Sequence, residues 1–198
     1  MTVRDKEALI KAIDDVLPQT QCRQCGTEGC LAYARAIVEE GAPINRCAPG
    51  GAAGIERLAG ILDLPVIPLD PEYGTEMPFA VARIRAGSCI GCSWCIKVCP
   101  TEAIAGAPKH LHGVLEERCT GCALCLPACP VDCIDMVENG KEWTAEDAHR
   151  ARAYFHARRD RLAEREAAEH ARLEALSSES SGKKAALLSS ILARAKAK

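Results

Sequence analysis

Two cysteine runs set thirty residues apart dominate this chain of 198 residues. The first reads CIGCSWCIKVCPTEAI from Cys89, and the second reads CTGCALCLPACPVDCI from Cys119. Each has the form C-x2-C-x2-C-x3-C-P. A cubane of four irons and four sulfides presents four corners, and each iron takes one thiolate. Two-residue gaps let the chain curl around three corners with its N–H groups turned toward the sulfurs, and such contacts help set the reduction potential. Gly91 and Gly121 occupy the same place in the two loops, where a missing Cβ permits a tight turn. Pro100 and Pro130 follow the fourth cysteines and end the short helical turns that carry them. In runs of this form the first three cysteines hold one cluster and the fourth closes the other. The pattern therefore predicts one 4Fe–4S cluster on Cys89, Cys92, Cys95 and Cys129, and another on Cys99, Cys119, Cys122 and Cys125. Zinc ribbons also use C-x2-C pairs, but they do not need the third and fourth cysteines and the trailing proline twice over.

The offset is uniform from residue 89 to 104, so the two halves are an internal repeat. They predict a small α+β domain of the bacterial two-cluster ferredoxin type over residues 80–140. Its strands are expected at 80–84, 104–107, 114–116 and 134–137. Cys133 falls opposite Ala103 in the repeat, which suggests a small buried side chain near a cluster rather than a ligand or a redox-sensing thiol. His110 and His112 lie on the connection between the halves and read as exposed polar groups, because cysteines already supply the cluster corners. Trp94 precedes Cys95 and could shield a cluster or simply pack.

A second cysteine set lies upstream. TQCRQCGTEGC places Cys22, Cys25 and Cys30, and NRCAPGG adds Cys47. Four thiolates in a compact module make a metal site, and spacing alone leaves a 4Fe–4S cluster and a four-cysteine zinc site both open. Around them, apolar residues at helical spacing predict an amphipathic helix over 5–17 ended by Pro18. A second helix is expected over 31–40 with Gly41 as its stop, and a third after Gly51. Residues 1–63 thus form a helical module. Residues 64–79, with four prolines by Pro78, read as a stiff linker holding a domain boundary.

Composition narrows the class. A net charge of −2 gives no bulk electrostatic case for nucleic acid, and no nucleic-acid partner is expected. Thirteen cysteines without an apolar leader in MTVRDKEALI argue for metal thiolates in a reducing cytoplasm rather than a disulfide framework. No apolar run approaches the ~18 residues of a membrane span.

From Thr144 the character changes. Thr144 and Asp147 resemble a capping box, and the helix-forming stretch 145–176 interleaves arginines with acids. SSESSG at 177–182 reads as a flexible break. The segment 183–198 has no acid and five basic residues, with Leu187, Leu188, Ile191 and Leu192 as an apolar stripe. It is a candidate for peripheral contact with an anionic membrane or a partner, or else a solubilising tail. Residues 141–198 are therefore expected to be a charged helical tail.

Taken together, LPQTQCRQCGTEGCLAYARAI…INRCAPGG, the proline-rich segment and the paired runs ending CPVDCIDMV resemble the B component of the Rnf-type (Rsx-type) electron-transport complex, over roughly residues 8–138. The resemblance implies that Cys22, Cys25, Cys30 and Cys47 hold a third 4Fe–4S cluster. It also implies electron relay at the cytoplasmic face of the inner membrane between ferredoxin, NAD(H) and membrane flavoprotein subunits, coupled to ion translocation or to reduction of a redox-sensing regulator. The family usually opens with a hydrophobic membrane anchor, whereas this chain starts almost at its first amphipathic helix. The charged extension from about residue 144 also lies outside the family's core pattern. The expected role is that of an electron carrier in such a complex, without acid, base or nucleophile of its own. A free ferredoxin serving another oxidoreductase, or an iron–sulfur or zinc regulatory protein, are the competing readings. No Gly-rich dinucleotide fingerprint is present, so NADH or flavin chemistry would fall to a partner protein.

Overall fold

The apolar stripe of the first helix dictates the first core. Leu9, Ile10, Ile13 and Val16 recur at three- and four-residue intervals, and α1 (Val3–Val16) turns them inward. The computed structural model describes residues 3–196, the side chains of 179–183, 185–187 and 189–196 excepted. It mixes helix and sheet, and it divides into two compact units, Met1–His156 and Ala157–Lys198.

In the first unit, α2 (Cys30–Arg35) widens into a π-helical turn (Ala36–Glu40), which stops at Gly41 in the left-handed conformation. α3 (Gly51–Leu62) completes a three-helix layer in which Tyr33, Ile10, Ile13, Ile55 and Leu58 are fully buried. Burial of each large aliphatic side chain contributes about 1.5–3 kcal/mol. The Tyr33 hydroxyl donates to the Pro43 carbonyl at 2.7 Å and accepts the Arg46 N–H at 3.1 Å, so the ring is held at both ends of the loop before Cys47.

The proline-rich segment differs from the expected spacer. Ile67 and Leu69 pack on the helical core. The Asn45 amide donates to the Pro68 carbonyl at 2.8 Å, and the Asp70 N–H returns to the Asn45 carbonyl at 2.9 Å. Prolines strip donors from the segment but leave its carbonyls and apolar side chains free to bind a neighbour, so it lies along the module as a strap.

The sheet is small. β1 (Ala80–Ile84) pairs antiparallel with β4 (Ile134–Glu138), from Ala80 opposite Glu138 to Ile84 opposite Ile134. Between them come α4 (Trp94–Val98) and a short ladder of β2 (Ile104–Ala105) with β3 (Gly113–Val114). The two inner strands are shorter than their sequence suggested, because the chain bends at Gly106 and enters a 3-10 turn at Glu116–Arg118. Val81, Ala82, Ala103, Ile104 and Ile134 bury themselves among the cysteines to form a second core.

The two cores meet inside this unit. The buried Thr120 hydroxyl donates to the Thr20 carbonyl at 3.0 Å, and the Trp143 indole N–H donates to the Pro18 carbonyl at 2.9 Å. Phe79 and Trp143 stack with ring centroids 4.9 Å apart.

α5 (Ala145–Lys196) opens with the Thr144–Asp147 box: the Thr144 N–H donates to the Asp147 carboxylate at 3.0 Å, and the Asp147 N–H donates to the Thr144 hydroxyl at 3.2 Å. Within the first unit Arg152 then reaches α1, 2.6 Å from Asp15 and 3.0 Å from Asp14. In the second unit the backbone is helical through residues 177–182, which corrects the flexible break expected there. Serine and glycine cost a helix about 1 kcal/mol or less each, and the alanine, leucine and lysine flanking them can carry that deficit. Ser178 also bonds back to the Ala175 carbonyl at 2.8 Å instead of competing for another conformation. Leu162, Leu173, Leu176 and Leu188 are exposed. The rest of the expected terminal stripe, Leu187, Ile191 and Leu192, lies outside the described side chains. Among the described residues, no helix is long and apolar enough to cross a membrane.

Candidate iron–sulfur sites

The thirteen cysteines form no disulfides. Twelve of them divide into three sets of four, each lining one cavity. Cys22, Cys25, Cys30 and Cys47 line one in the helical layer. Cys89, Cys92, Cys95 and Cys129 line the second, and Cys99, Cys119, Cys122 and Cys125 the third. In both cavities of the repeat, the first three cysteines of one run meet the fourth of its twin, and Cys133 lines the first run's cavity as well. Among the described residues, no cluster of histidine, cysteine and acidic side chains converges on the point that a single metal ion would occupy.

Backbone conformation explains how the loops wrap these spaces. Gly91 and Gly121 have φ of 68° and 69°; an added Cβ would lie 2.5 Å from the His110 backbone nitrogen and 2.7 Å from the Ala80 oxygen respectively. The repeat extends to residues that bear the strain of this geometry. Ser93 and Ala123 have φ of 64° and 57°, and Glu102 and Asp132 have 53° and 47°, each pair at the thirty-residue offset. The upstream loop does the same with Gln19, Gln21 and Arg23 at 56°, 55° and 65°. Left-handed residues alternating with ordinary ones turn successive N–H groups to one side, which makes a concavity suited to an anion. A cluster with four thiolates is such an anion. Strain of this kind persists only where surrounding contacts over-determine it.

Two direct donors to the sulfurs follow the same symmetry, and a third does not. The Ala103 N–H lies 3.2 Å from the Cys99 sulfur, and the Cys133 N–H lies 3.4 Å from the Cys129 sulfur. The Ala82 N–H, on β1, points at the Cys119 sulfur from 3.5 Å. Burial pushes the Cys30 and Cys125 thiols up to about 12 and Cys122 up to about 11, with Cys47 also raised. Burial acts the same way on Cys129, but N–H groups of Cys133 and Val131 outweigh it and lower that thiol. Thiols held so high become thiolates only when a metal centre displaces the proton.

Several participants were not evident from the sequence. The Gln21 side-chain oxygen accepts the Cys30 N–H at 3.0 Å, which caps α2 beside the first cavity. The Gln21 amide donates to Gln19 at 2.9 Å, and Gln19 donates to the Asp14 carbonyl at 2.7 Å, so the loop is tied to α1. Nothing in the spacing of two glutamines signals that role. His112 is corrected outright. Expected at the surface, it is 3% exposed, lines the cavity of the first run, and sets Nδ1 3.3 Å from the Cys95 sulfur. The β2–β3 turn folds it inward, and Gly106 makes room for the ring. His110 is exposed. Trp94 is also exposed, with Lys97 over its ring at 5.1 Å, and does not cover a cavity. Cys133 is buried, as the repeat suggested; it lies 3.5 Å from Cys129 and lines the cavity of the first run.

These features agree with the known proteins that the chain resembles. Residues 82–136 match the family of 4Fe-4S dicluster domains, and residues 17–49 match a family described as an Fe-S cluster segment. The B component of the ion-translocating oxidoreductase complex of Azoarcus sp. is 51% identical over 110 residues, 56% of this chain and 60% of that protein. Its counterpart in Hahella chejuensis is 55% identical over 129 residues, 65% of each chain. The match to the Stutzerimonas stutzeri protein of the same name is 54% over 134 residues, 68% of this chain and 69% of that one. The chain spans about three fifths of the length of the Azoarcus relative and slightly less than two thirds of the Hahella one. By the extent and identity of these matches, together with its paired cysteine runs, the chain belongs to the family of the B component of ion-translocating oxidoreductase complexes.

Proposed function

We propose that this chain carries single electrons through three 4Fe–4S clusters, as part of an ion-translocating oxidoreductase complex. One cluster would be held by Cys22, Cys25, Cys30 and Cys47, one by Cys89, Cys92, Cys95 and Cys129, and one by Cys99, Cys119, Cys122 and Cys125. The observation that carries this reading is the partition of twelve cysteines into three cavities. A zinc ion takes sulfurs about 2.3 Å from one centre; the iron–sulfur families matched at residues 17–49 and 82–136 favour a cubane at these sets instead.

When bound, a 4Fe–4S cluster takes up and returns one electron at a potential set by its surroundings. The protein's own residues do the rest. Cysteine thiolates fix each centre, and N–H groups of Ala82, Ala103 and Cys133 point at the sulfurs. The buried apolar walls exclude water, which limits reorganisation around the changing charge. The hydrogen bond between Thr120 and Thr20 joins a wall of the upstream cavity to a wall of the second run's cavity, which fixes their spacing.

By the name its relatives carry, the partners are the other proteins of that complex. Ferredoxin and membrane flavoprotein subunits are the redox partners the family resemblance implies. The site of work is the cytoplasmic face of the inner membrane, with residues 183–198 as a peripheral contact. Metal analysis of anaerobically purified protein tests the reading. About twelve irons and twelve sulfides per chain, with EPR signals on reduction, are expected. About eight irons with one zinc would overturn the upstream cluster. Co-purification with the other proteins of the complex tests the assembly, and a chain recovered alone from membranes and cytosol would overturn it.

A further inference from the structure

The two cavities of the repeat are nearly symmetric in their backbone donors, and they are not symmetric in their side chains. The Ala103 and Cys133 N–H groups, thirty residues apart, serve Cys99 and Cys129 in matching fashion. His112 has no such counterpart. Its Nδ1 lies 3.3 Å from the Cys95 sulfur, both groups are buried, and the cavity of the second run has no histidine in its lining. On the far side of the ring, the Ser93 hydroxyl lies 3.5 Å from Nε2. A ligating Cys95 thiolate carries no proton, so in the loaded protein this contact requires the ring proton on Nδ1, and the Ser93 hydroxyl can then donate to Nε2. The ring is also seated by its neighbours: a Cβ on Gly106 would lie 2.2 Å from His112 Cδ2.

We infer that His112 is a potential-setting residue, which donates a hydrogen bond to Cys95 and thereby raises the reduction potential of the cluster held by Cys89, Cys92, Cys95 and Cys129. The inference rests on the cluster reading above. A donor aimed at a ligand sulfur stabilises the reduced cluster, with its extra negative charge, more than the oxidised one. The buried setting strengthens that preference, because little water competes for the sulfur. The repeat thus supplies two similar cages, and this buried ring lines the first run's cavity and not the second's.

The test is an EPR-monitored redox titration of the full-length, cluster-loaded protein, with iron and sulfide counted in each sample. His112→Leu should shift one cluster's reduction equilibrium about tenfold toward the oxidised form, about 59 mV for a one-electron couple, and leave the others in place. His112→Asn, which sets an amide N–H near the Nδ1 position, should recover much of that shift. Gly106→Ala, which keeps the histidine and displaces its ring, should reproduce the leucine result. Unchanged potentials in His112→Leu with iron content intact would overturn the inference. So would loss of the cluster from both His112→Leu and His112→Asn, which would make the residue a structural prop. Wild-type protein without iron would instead overturn the cluster reading itself.

Discussion

At the scale of single residues, thiol chemistry leaves the strongest mark. Cross-ligation is written into cysteine spacing, because a cubane dictates where its four sulfurs stand, and it gives a direct prediction. Cys99→Ser should deplete iron from the cavity of Cys119, Cys122 and Cys125 and spare the set completed by Cys129. Iron counts falling by about four, with the remaining signals retained, would agree with this. Loss from the first run's own cavity would refute it. The glycines in the loops make a second prediction. Gly121→Ala forces an L side chain to a φ of 69° with its Cβ 2.7 Å from the Ala80 oxygen, and backbone has nowhere to yield. A cost of about 1–3 kcal/mol is expected for such a strained residue, visible as a lower melting temperature and faster cluster loss. His112, Gln19 and Gln21 escaped the sequence for one physical reason. Each acts through a single contact made by the fold, and no periodicity or multiplicity of ligands announces one contact.

At the scale of elements, the helices and the outer strands were legible because each has its own repeat of apolar residues. β1 occupies residues 80–84 as its weak alternation suggested, and α1 follows its stripe closely. The short ladder of β2 and β3 was harder to bound, since a two-residue strand carries no period. The start of α5 shows how a local signal becomes stability. Asp147 is buried, which pushes its carboxyl up, yet Lys141 and the Thr144 donors outweigh burial and bring it down to about 2. A carboxyl depressed in the folded state stabilises the fold at any pH above its ordinary range near 4. That contribution fades as pH falls from there through about 2. Asp147→Ala should therefore cost about 1 kcal/mol at neutral pH, as loss of a helix-start partner does, and the gap between variant and wild type should close in acid. Thermal melts of the two proteins at neutral and acidic pH would show the convergence. A gap that persists unchanged in acid would assign the loss to packing instead.

At the scale of the whole molecule, the proline-rich segment is where sequence and structure part most clearly. A run without helical or strand period reads as a spacer, but its chemistry says only that it lacks donors, not that it lacks contacts. Within the unit Met1–His156 the upstream module and the repeat domain share hydrogen bonds from Thr120 and Trp143, and the first turns of α5 close the arrangement through Arg152. Arg152 is the residue to probe, because it meets Asp15 at 2.6 Å and Asp14 at 3.0 Å and also donates to the Asp14 carbonyl, which the Gln19 amide and the Leu17 N–H share. That path continues through Gln21 to the N–H of Cys30, so α5 supports the upstream cysteine loop at one remove. Replacing Arg152 with alanine leaves two carboxylates without their shared partner, one of them largely buried, and hydrogen bonds to charged groups are worth about 1.5–3 kcal/mol each. The cavities of the three cysteine sets are lined by residues of the first unit. The expected outcome is therefore a contrast. Arg152→Ala lowers the melting temperature and speeds iron release from the upstream site, while truncation after His156 leaves both unchanged. A truncated chain that loses iron as readily as Arg152→Ala would mean that residues beyond 156 also support the cysteine sites.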